Sequence, residues 1–370
     1  MNHKTSKMAV AGASETTREG PWAEIDLGAL CANYEMIADA APGAEVAPAV
    51  KCDAYGLGVG PVARALAERN KCDAYFVVYA EEGAALRAAL ATAQAKIYCF
   101  AGPSQETLAL HEQARLTPVL NSLEQAQLWA ARSPGAEAAV HIDTGMNRLG
   151  APMCAAGDIA TVEGLNVTLV MSHLACGSNP AHAKNRTQRG MFINVAQDFP
   201  GARLSLGASA GALMGKDYQF DMVRPGIALY GGSPFDTDDA RIKSVISLRA
   251  PVVQLRDLAP GETVGYGATF TAARPTRIAT VALGYGDGYP RGLTGAGAAI
   301  VNGEHAPIVG RISMDFITLD VTDMKNPAKD DDYAEFFGPE LRLHDVATAS
   351  GRAAYDLLTG LGDRVDRRYL

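Results

Sequence analysis

The sequence predicts an α/β protein: an N-terminal (β/α)8 TIM-like barrel followed by a mostly antiparallel β domain. Two observations carry this. Eight short apolar runs alternate with segments of helical period between Glu45 and Gly231, and beyond Gly231 the texture becomes β-branched and rich in Gly and Pro. The chain has 370 residues, enough for about two domains or one barrel with an appendage. A doubly wound open sheet is the competing topology for the first part.

The eight candidate strands are EVAPAV (45–50), AYFVVY (74–79), KIYCF (96–100), TPVL (117–120), EAAVHID (137–143), NVTLVMS (166–172), RLSLG (203–207) and MVRPGIALYG (222–231). Segments such as GPVARALAERN, EEGAALRAAL and SLEQAQLWAAR place apolar residues at i, i+3 and i+4, and so can cover the outside of a sheet. Eight strand-then-helix units satisfy a (β/α)8 barrel. After the turn-rich GGSPFDTDDAR come SVISLRAPVVQLRDL, TRIATVALGYGDGY, AAIVNGEHAPIVGRI and FITLDVTD, with helical period returning only near 343–359. The expected division is a flexible tail over 1–20, a barrel over 21–243 and a β-strand domain over 244–370. The segment WAEIDL (22–27) could add a strand to the last of these.

Composition narrows the partners. The formal net charge is −8, without a Lys/Arg cluster, which disfavours nucleic acid and anionic membranes. No apolar run approaches the ~18 residues of a membrane span, and the tail has no signal-peptide core. Six scattered cysteines, none in a C-x-x-C pair, read as reduced thiols of a cytoplasmic protein rather than disulfides or a metal site.

In a barrel, chemistry collects where strands end. Those ends present Lys51 and Tyr55, then Arg148, His173, Ser209 and Arg224. Each alone reads more simply as a surface charge, a structural imidazole or a packing serine. Together they suit another purpose. A lysine half out of water titrates low and so can attack a carbonyl, while Gly-rich turns can bring backbone N–H groups onto a phosphate. A phosphorylated aldehyde cofactor fits, with a carboxylate-bearing substrate, and pyridoxal 5'-phosphate is such a cofactor.

The motifs AVKCDAYGLG, HIDTGMNRLG, SHLACGSN, RPGIALYGG, GYGATF, ALGYGDGYPRG and GRISMDFITLDVTD, in this order from about Trp22 to Tyr369, resemble the bacterial alanine racemase family. The resemblance implies a fold type III pyridoxal-phosphate enzyme, working as a homodimer with composite active sites on L- and D-alanine and supplying D-alanine for peptidoglycan. It implies that Lys51 is the Schiff-base lysine and the base for the D enantiomer. Tyr266, from the partner subunit, is the base for the L enantiomer. Tyr55, Ser209, Gly226 and Ile227 match phosphate contacts, His173 the imidazole against the pyridine ring, and Arg224 the donor to the pyridine nitrogen. Arg148 and the Met314 backbone match carboxylate contacts, and Tyr285 lies in the entrance motif. No metal is implied.

Two bases on opposite faces of Cα suit racemisation. A phenol with an ordinary pKa of about 10 needs help from a partner, and His173, linked to Arg224, is the expected one. A guanidinium donates to the ring nitrogen without protonating it, which weakens the electron sink and limits side reactions. The chain also departs from the family pattern. His141 stands where relatives often have a lysine that can be carbamylated, so Arg148 needs another support, an anion being one option. Ala208 replaces a frequent Asn. Asp363 stands where some relatives have a phosphate-contacting Tyr, and no phosphate role is carried to it.

Other readings are an amino-acid decarboxylase of the same fold, a non-catalytic cofactor carrier, and a broad-spectrum racemase. The first would need an acidic partner for the pyridine nitrogen and a late cysteine, whereas Arg224 occupies that place and no cysteine follows Cys176. The second would lack the β domain and its GYGATF tyrosine. The third differs from an alanine racemase in pocket width.

Overall fold

The computed structural model describes residues 20–90 and 94–370, so the expected tail lies outside the described residues apart from Gly20. The chain forms two compact units. The larger gathers Ala23–Ser247, Phe337–Leu361 and Arg367–Leu370; the smaller contains Leu248–Phe336 and Gly362–Asp366 together with Trp22. A single cut at 243/244 therefore misses one return of the chain: the helices near the C-terminus pack with the barrel, because their apolar faces close over the loop after its first strand.

β1 (Trp22–Ile25), whose first residue belongs to the smaller unit, leads into α1 (Leu27–Ala40), whose N-cap Asp26 accepts from the Ala29 N–H at 2.8 Å. The barrel strands are β2 (Glu45–Val46), β3 (Ala74–Val77), β4 (Lys96–Cys99), β5 (Thr117–Leu120), β6 (Glu137–Asp143), β8 (Asn166–Met171), β9 (Arg203–Ser205) and β10 (Met222–Val223), with the short β7 (Ala151–Pro152) beside β6. Between them run α2 (Lys51–Tyr55), α3 (Val59–Asn70), α4 (Ala80–Leu90), α5 (Leu108–Gln113), α6 (Leu123–Arg132), α7 (Ala156–Ala160), α8 (Ala183–Ala196) and α9 (Ser209–Leu213). All eight apolar runs read from the sequence hold a strand. Every residue of β3 and β5 is buried, as strands covered on both faces must be.

Parallel pairing runs β3–β4–β5–β6–β8–β9. Two single bridges and one two-residue ladder complete the circle: Ala208 pairs with Arg224, Met222 and Val223 with Glu45 and Val46, and Ala49 with Phe76. The sheet thus curls shut, and the doubly wound alternative is excluded. The last run is shorter than its sequence suggests: the strand stops at Val223, and Pro225, which lacks an N–H, starts the turns that follow.

The smaller unit holds most of β11 (Ile246–Leu258), then β12 (Thr263–Val264), β13 (Phe270–Thr271), β14 (Thr276–Val281), β15 (Ala298–Val301), β16 (Glu304–Pro307), β17 (Ile317–Asp320) and β18 (Tyr333–Phe337). β14 pairs antiparallel with β11 and β17, β15 with β16 and β18, and β12 with β13. The helical period expected near 343–359 resolves into α10 (Leu343–Ser350) and α11 (Ala354–Thr359), and β19 (Asp366–Tyr369) ends the chain. Among the described residues, no helix is long and apolar enough to cross a membrane.

Candidate active site

Lys51 follows β2 and opens α2, a helical turn of unusual hand. Cys52, Asp53, Ala54 and Tyr55 all lie in the left-handed region, with φ of 52°, 53°, 53° and 58°. L-residues resist this conformation by roughly 1–2 kcal/mol each, so the surroundings must impose it. Glu82 does so from the first turn of α4. Its Oε1 accepts the Cys52 N–H at 2.7 Å, and its Oε2 accepts the N–H groups of Val78 and Tyr79 at 2.7 and 3.2 Å. Asp53 Oδ1 accepts the Val59 N–H at 2.7 Å. From the end of the chain, Arg367 donates to the Gly56 carbonyl at 3.2 Å and the Tyr369 hydroxyl donates to that of Leu57 at 2.9 Å. Nothing in KCDAY announces the reversed turn, because the cause is tertiary.

A cavity of about 390 Å³ occupies the barrel mouth, bordered by Lys51, Tyr55, Arg148, His173, Ser209 and Arg224 among others. At Lys51, Phe100, Arg148 and His173 it meets a smaller chamber of about 200 Å³, whose remaining walls are Val78, His141, Leu149 and Met171. Burial, with Arg148 nearby, lowers the pKa of the Lys51 amine, although Cys52 and Glu82 act the other way. Burial, followed by the charges of Arg224 and Arg148, holds His173 well below an ordinary histidine, so its ring is neutral. The expected His173–Arg224 link is a matter of field and not a hydrogen bond. Arg224 donates instead to the Ser205 hydroxyl and to the carbonyls of Ser172 at 2.6 Å and Leu206 at 3.5 Å. Burial brings Arg224 down to about 9, which leaves it charged at neutral pH.

The residues proposed around a phosphate do converge. Gly226, in an ordinary backbone conformation, lies so close to Tyr55 that a Cβ there would sit 2.2 Å from the phenol oxygen. Ser209 Oγ accepts from the N–H groups of Gly226 at 2.8 Å and Ala228 at 3.3 Å. The Ile227 N–H and the Tyr55 hydroxyl have no hydrogen-bond partner among the described residues, although both residues are buried and border the cavity. Burial pushes the Tyr55 phenol up, so it remains a donor. At the other side, the Nε–H of Arg224 is likewise unspent among the described residues. A cradle of unpaired donors facing an unspent guanidinium N–H matches a phosphorylated pyridine: each end meets complementary chemistry. Arg148 makes no described hydrogen bond or ion pair either, which leaves its fork open for a carboxylate.

Tyr355, on α11, also borders this cavity, its ring 6.0 Å from that of Tyr55. Sequence reasoning missed it and looked at Asp363 instead. The usable signal was a lone aromatic in the amphipathic AAYDLLTG. Arg364, beside Asp363, is bound to Asp287 and Asp315.

The remaining candidates lie in the smaller unit, on its surface. Tyr266 is 74% exposed and shares a cavity of about 480 Å³ with Arg311, Ser313 and Phe316. Tyr285 and Met314 are also exposed and adjacent: the Tyr285 N–H donates to Ser313 O and the Gly286 N–H to Met314 O. Among the described residues, no cluster of His, Cys, Asp or Glu could hold a metal ion.

The barrel with its lysine-centred, phosphate-ready mouth, and the antiparallel companion unit, define a fold type III pyridoxal-phosphate enzyme. Comparison with known proteins is specific. The model of the alanine racemase N-terminal domain matches residues 25–234 and that of the C-terminal domain residues 245–369. A catabolic alanine racemase of Agrobacterium fabrum is 42% identical over 357 residues, covering 94% of this chain and 91% of that protein. An alanine racemase of Jannaschia sp. is 43% identical over 344 residues, covering 93% and 97%. The crystal structure of the alanine racemase from Bartonella henselae, with covalently bound pyridoxal phosphate, superposes with a TM-score of 0.89 at 34% identity, covering 95% of this chain and all of that one. The chain belongs to the alanine racemase family.

Proposed function

We propose that this chain interconverts L- and D-alanine, with Lys51 and Tyr266 as the two bases. The carrying observation is the convergence at one mouth of a desolvated amine, an unpaired Arg148 and a cradle of unspent donors. Tyr55, Ser209 and Ile227 would hold the phosphate of pyridoxal 5'-phosphate, with Gly226 keeping the approach beside Tyr55 open, and Arg224 would donate to its pyridine nitrogen. Bound there, the cofactor supplies the electron withdrawal that makes the Cα–H bond of an amino acid acidic.

The protein's residues do the rest. Arg148 and the Met314 backbone fix the substrate carboxylate, which orients Cα. The Lys51 amine, its pKa lowered by burial, holds or takes a proton on one face. A phenol on the opposite face does the converse. The neutral His173 packs as an uncharged wall and leaves the positive field to Arg224. Arg224 keeps its own proton, so it would offer the ring nitrogen a hydrogen bond and not a full positive charge.

Tyr266, Met314 and Phe316 are exposed on the smaller unit. This supports a homodimer in which each subunit lends Tyr266 to the partner's barrel mouth, with Tyr285 at the entrance. Six free cysteines support a cytoplasmic setting, where D-alanine would feed peptidoglycan synthesis. The test is incubation with L-alanine in heavy water followed by chiral separation. D-alanine deuterated at Cα is expected, and no D product from cofactor-loaded enzyme would overturn the reading. Tyr266→Phe should impair proton abstraction from L-alanine while cofactor attachment survives.

A further inference from the structure

The small chamber has one polar wall that the mechanism leaves unused, His141 on β6. Its side chain is 6% exposed, and its Nδ1 lies 3.2 Å from Asn121 Oδ1. The orientation of that asparagine is fixed by the backbone. Asn121 Nδ2 donates to the carbonyls of Phe100 at 2.8 Å and Val119 at 2.9 Å, which can only accept. The Asn121 N–H in turn donates to Gln125 Oε1 at 2.8 Å, while Gln125 Nε2 donates to the Ala101 carbonyl at 2.9 Å. Main-chain partners therefore assign Nδ2 of Asn121 and both amide ends of Gln125, and the remaining end of Asn121 is its oxygen. Oδ1 of Asn121 can only accept, so Nδ1 of His141 must carry the proton.

In a neutral ring the lone pair then sits on Nε2. Nε2 has no hydrogen-bond partner among the described residues, and the ring borders the chamber together with Arg148, whose guanidinium also has none. The other groups facing it are cationic or donors: Lys51, His173 and Arg224, with Asp143 on its own strand. Burial, with Arg224 next, lowers His141 to about 4, which keeps it neutral near pH 7.

We propose that His141 is a positioning residue for Arg148: its Nε2 lone pair, locked by Asn121, is the acceptor that a guanidinium N–H takes up when the fork turns to the substrate carboxylate. A neutral acceptor thus suffices for the guanidinium, and no added anion is required. The proposal rests on Arg148 being the carboxylate site.

Two measurements test it. In holoenzyme with 15N-labelled histidine, the His141 ring, assigned by its loss in His141→Leu, should show a protonated Nδ1 and a bare Nε2; the opposite tautomer overturns the proposal. Propionate binding to holoenzyme should weaken about tenfold or more in His141→Leu, as expected for one bond to a charged donor. It should weaken at least as much in Arg148→Leu, and no further in the double variant. Wild-type affinity should not change with chloride or bicarbonate. Unchanged affinity in His141→Leu alone overturns the role of His141 and leaves Arg148 standing, whereas unchanged affinity in Arg148→Leu overturns both. Dependence on added chloride or bicarbonate favours an anion and refutes the proposal. Should His141→Leu fail to fold, Asn121→Leu frees the ring and should give a tautomer mixture with weakened propionate binding; a single bare-Nε2 tautomer there refutes the lock.

Discussion

Gly226→Ala adds one methyl group at the tightest point of the mouth. The new Cβ would lie 2.2 Å from the Tyr55 phenol oxygen and 2.9 Å from Cζ, so the ring or the backbone must move. The ring has little freedom: it is buried, stacks on Tyr230 at 4.5 Å, and hangs from a backbone already wound left-handed. Two outcomes bracket the cost. If the ring stays, overpacking of this size costs about 1–3 kcal/mol of stability. If it swings away, the phosphate loses one hydrogen bond of a charged acceptor, about 1.5–3 kcal/mol, or roughly ten- to hundredfold in cofactor affinity. Gly226 lacks a positive φ, so backbone strain does not contribute. Titrating apoprotein with pyridoxal phosphate by absorbance, beside a thermal melt, reads both terms. Tyr55→Phe should weaken cofactor binding similarly, and the double variant should show less than the sum. Affinity within threefold of wild type together with an unchanged melting temperature would refute the argument.

Glu82→Gln turns one acceptor of the carboxylate into a donor that faces a backbone N–H. It should cost about 1–3 kcal/mol in urea unfolding of the apoprotein and slow the reaction of Lys51 with an amine-specific reagent; wild-type values for both would remove Glu82 from the support of the lysine turn. His141 gives a pH prediction. Its folded pKa of about 4 lies below the ordinary 6.5, so the unfolded chain binds a proton that the native protein refuses between those values. Stability should fall as pH drops from 6.5 towards 4, by up to about 3 kcal/mol. His141→Leu should flatten that part of the profile in urea titrations, and a parallel profile would show that the ring protonates freely. Ser205→Ala removes the hydroxyl that takes one Arg224 N–H and should lower cofactor affinity severalfold by titration, without altering propionate binding.

The barrel was legible because its strands are buried on both faces: runs such as TPVL and AYFV admit few alternatives when helical segments alternate with them. The β-branched texture punctuated by Gly and Pro after Gly231 likewise exposed the antiparallel unit. What escaped the sequence was long-range in origin. Residues 337–361 look like an ordinary tail of the β domain, yet they bring Tyr355 to the barrel mouth. The reversed turn at Lys51 contradicts local preference and exists because Glu82 and the final strand dictate it. His141 looked like a gap in a pattern, and its meaning depended on which way Asn121 points, which is settled by two carbonyls, one of them 21 residues away.

The fastening of Gly56 and Leu57 by Arg367 and Tyr369 spans 311 and 312 positions of the chain. A ribosome making this protein emits Gly56 and Leu57 long before the two side chains that moor them, 311 and 312 residues further on. At about 5–20 residues per second, many seconds separate the two events. Until then the reversed turn lacks two of its ties, so a nascent or prematurely released product carries the lysine without the posture that makes it useful.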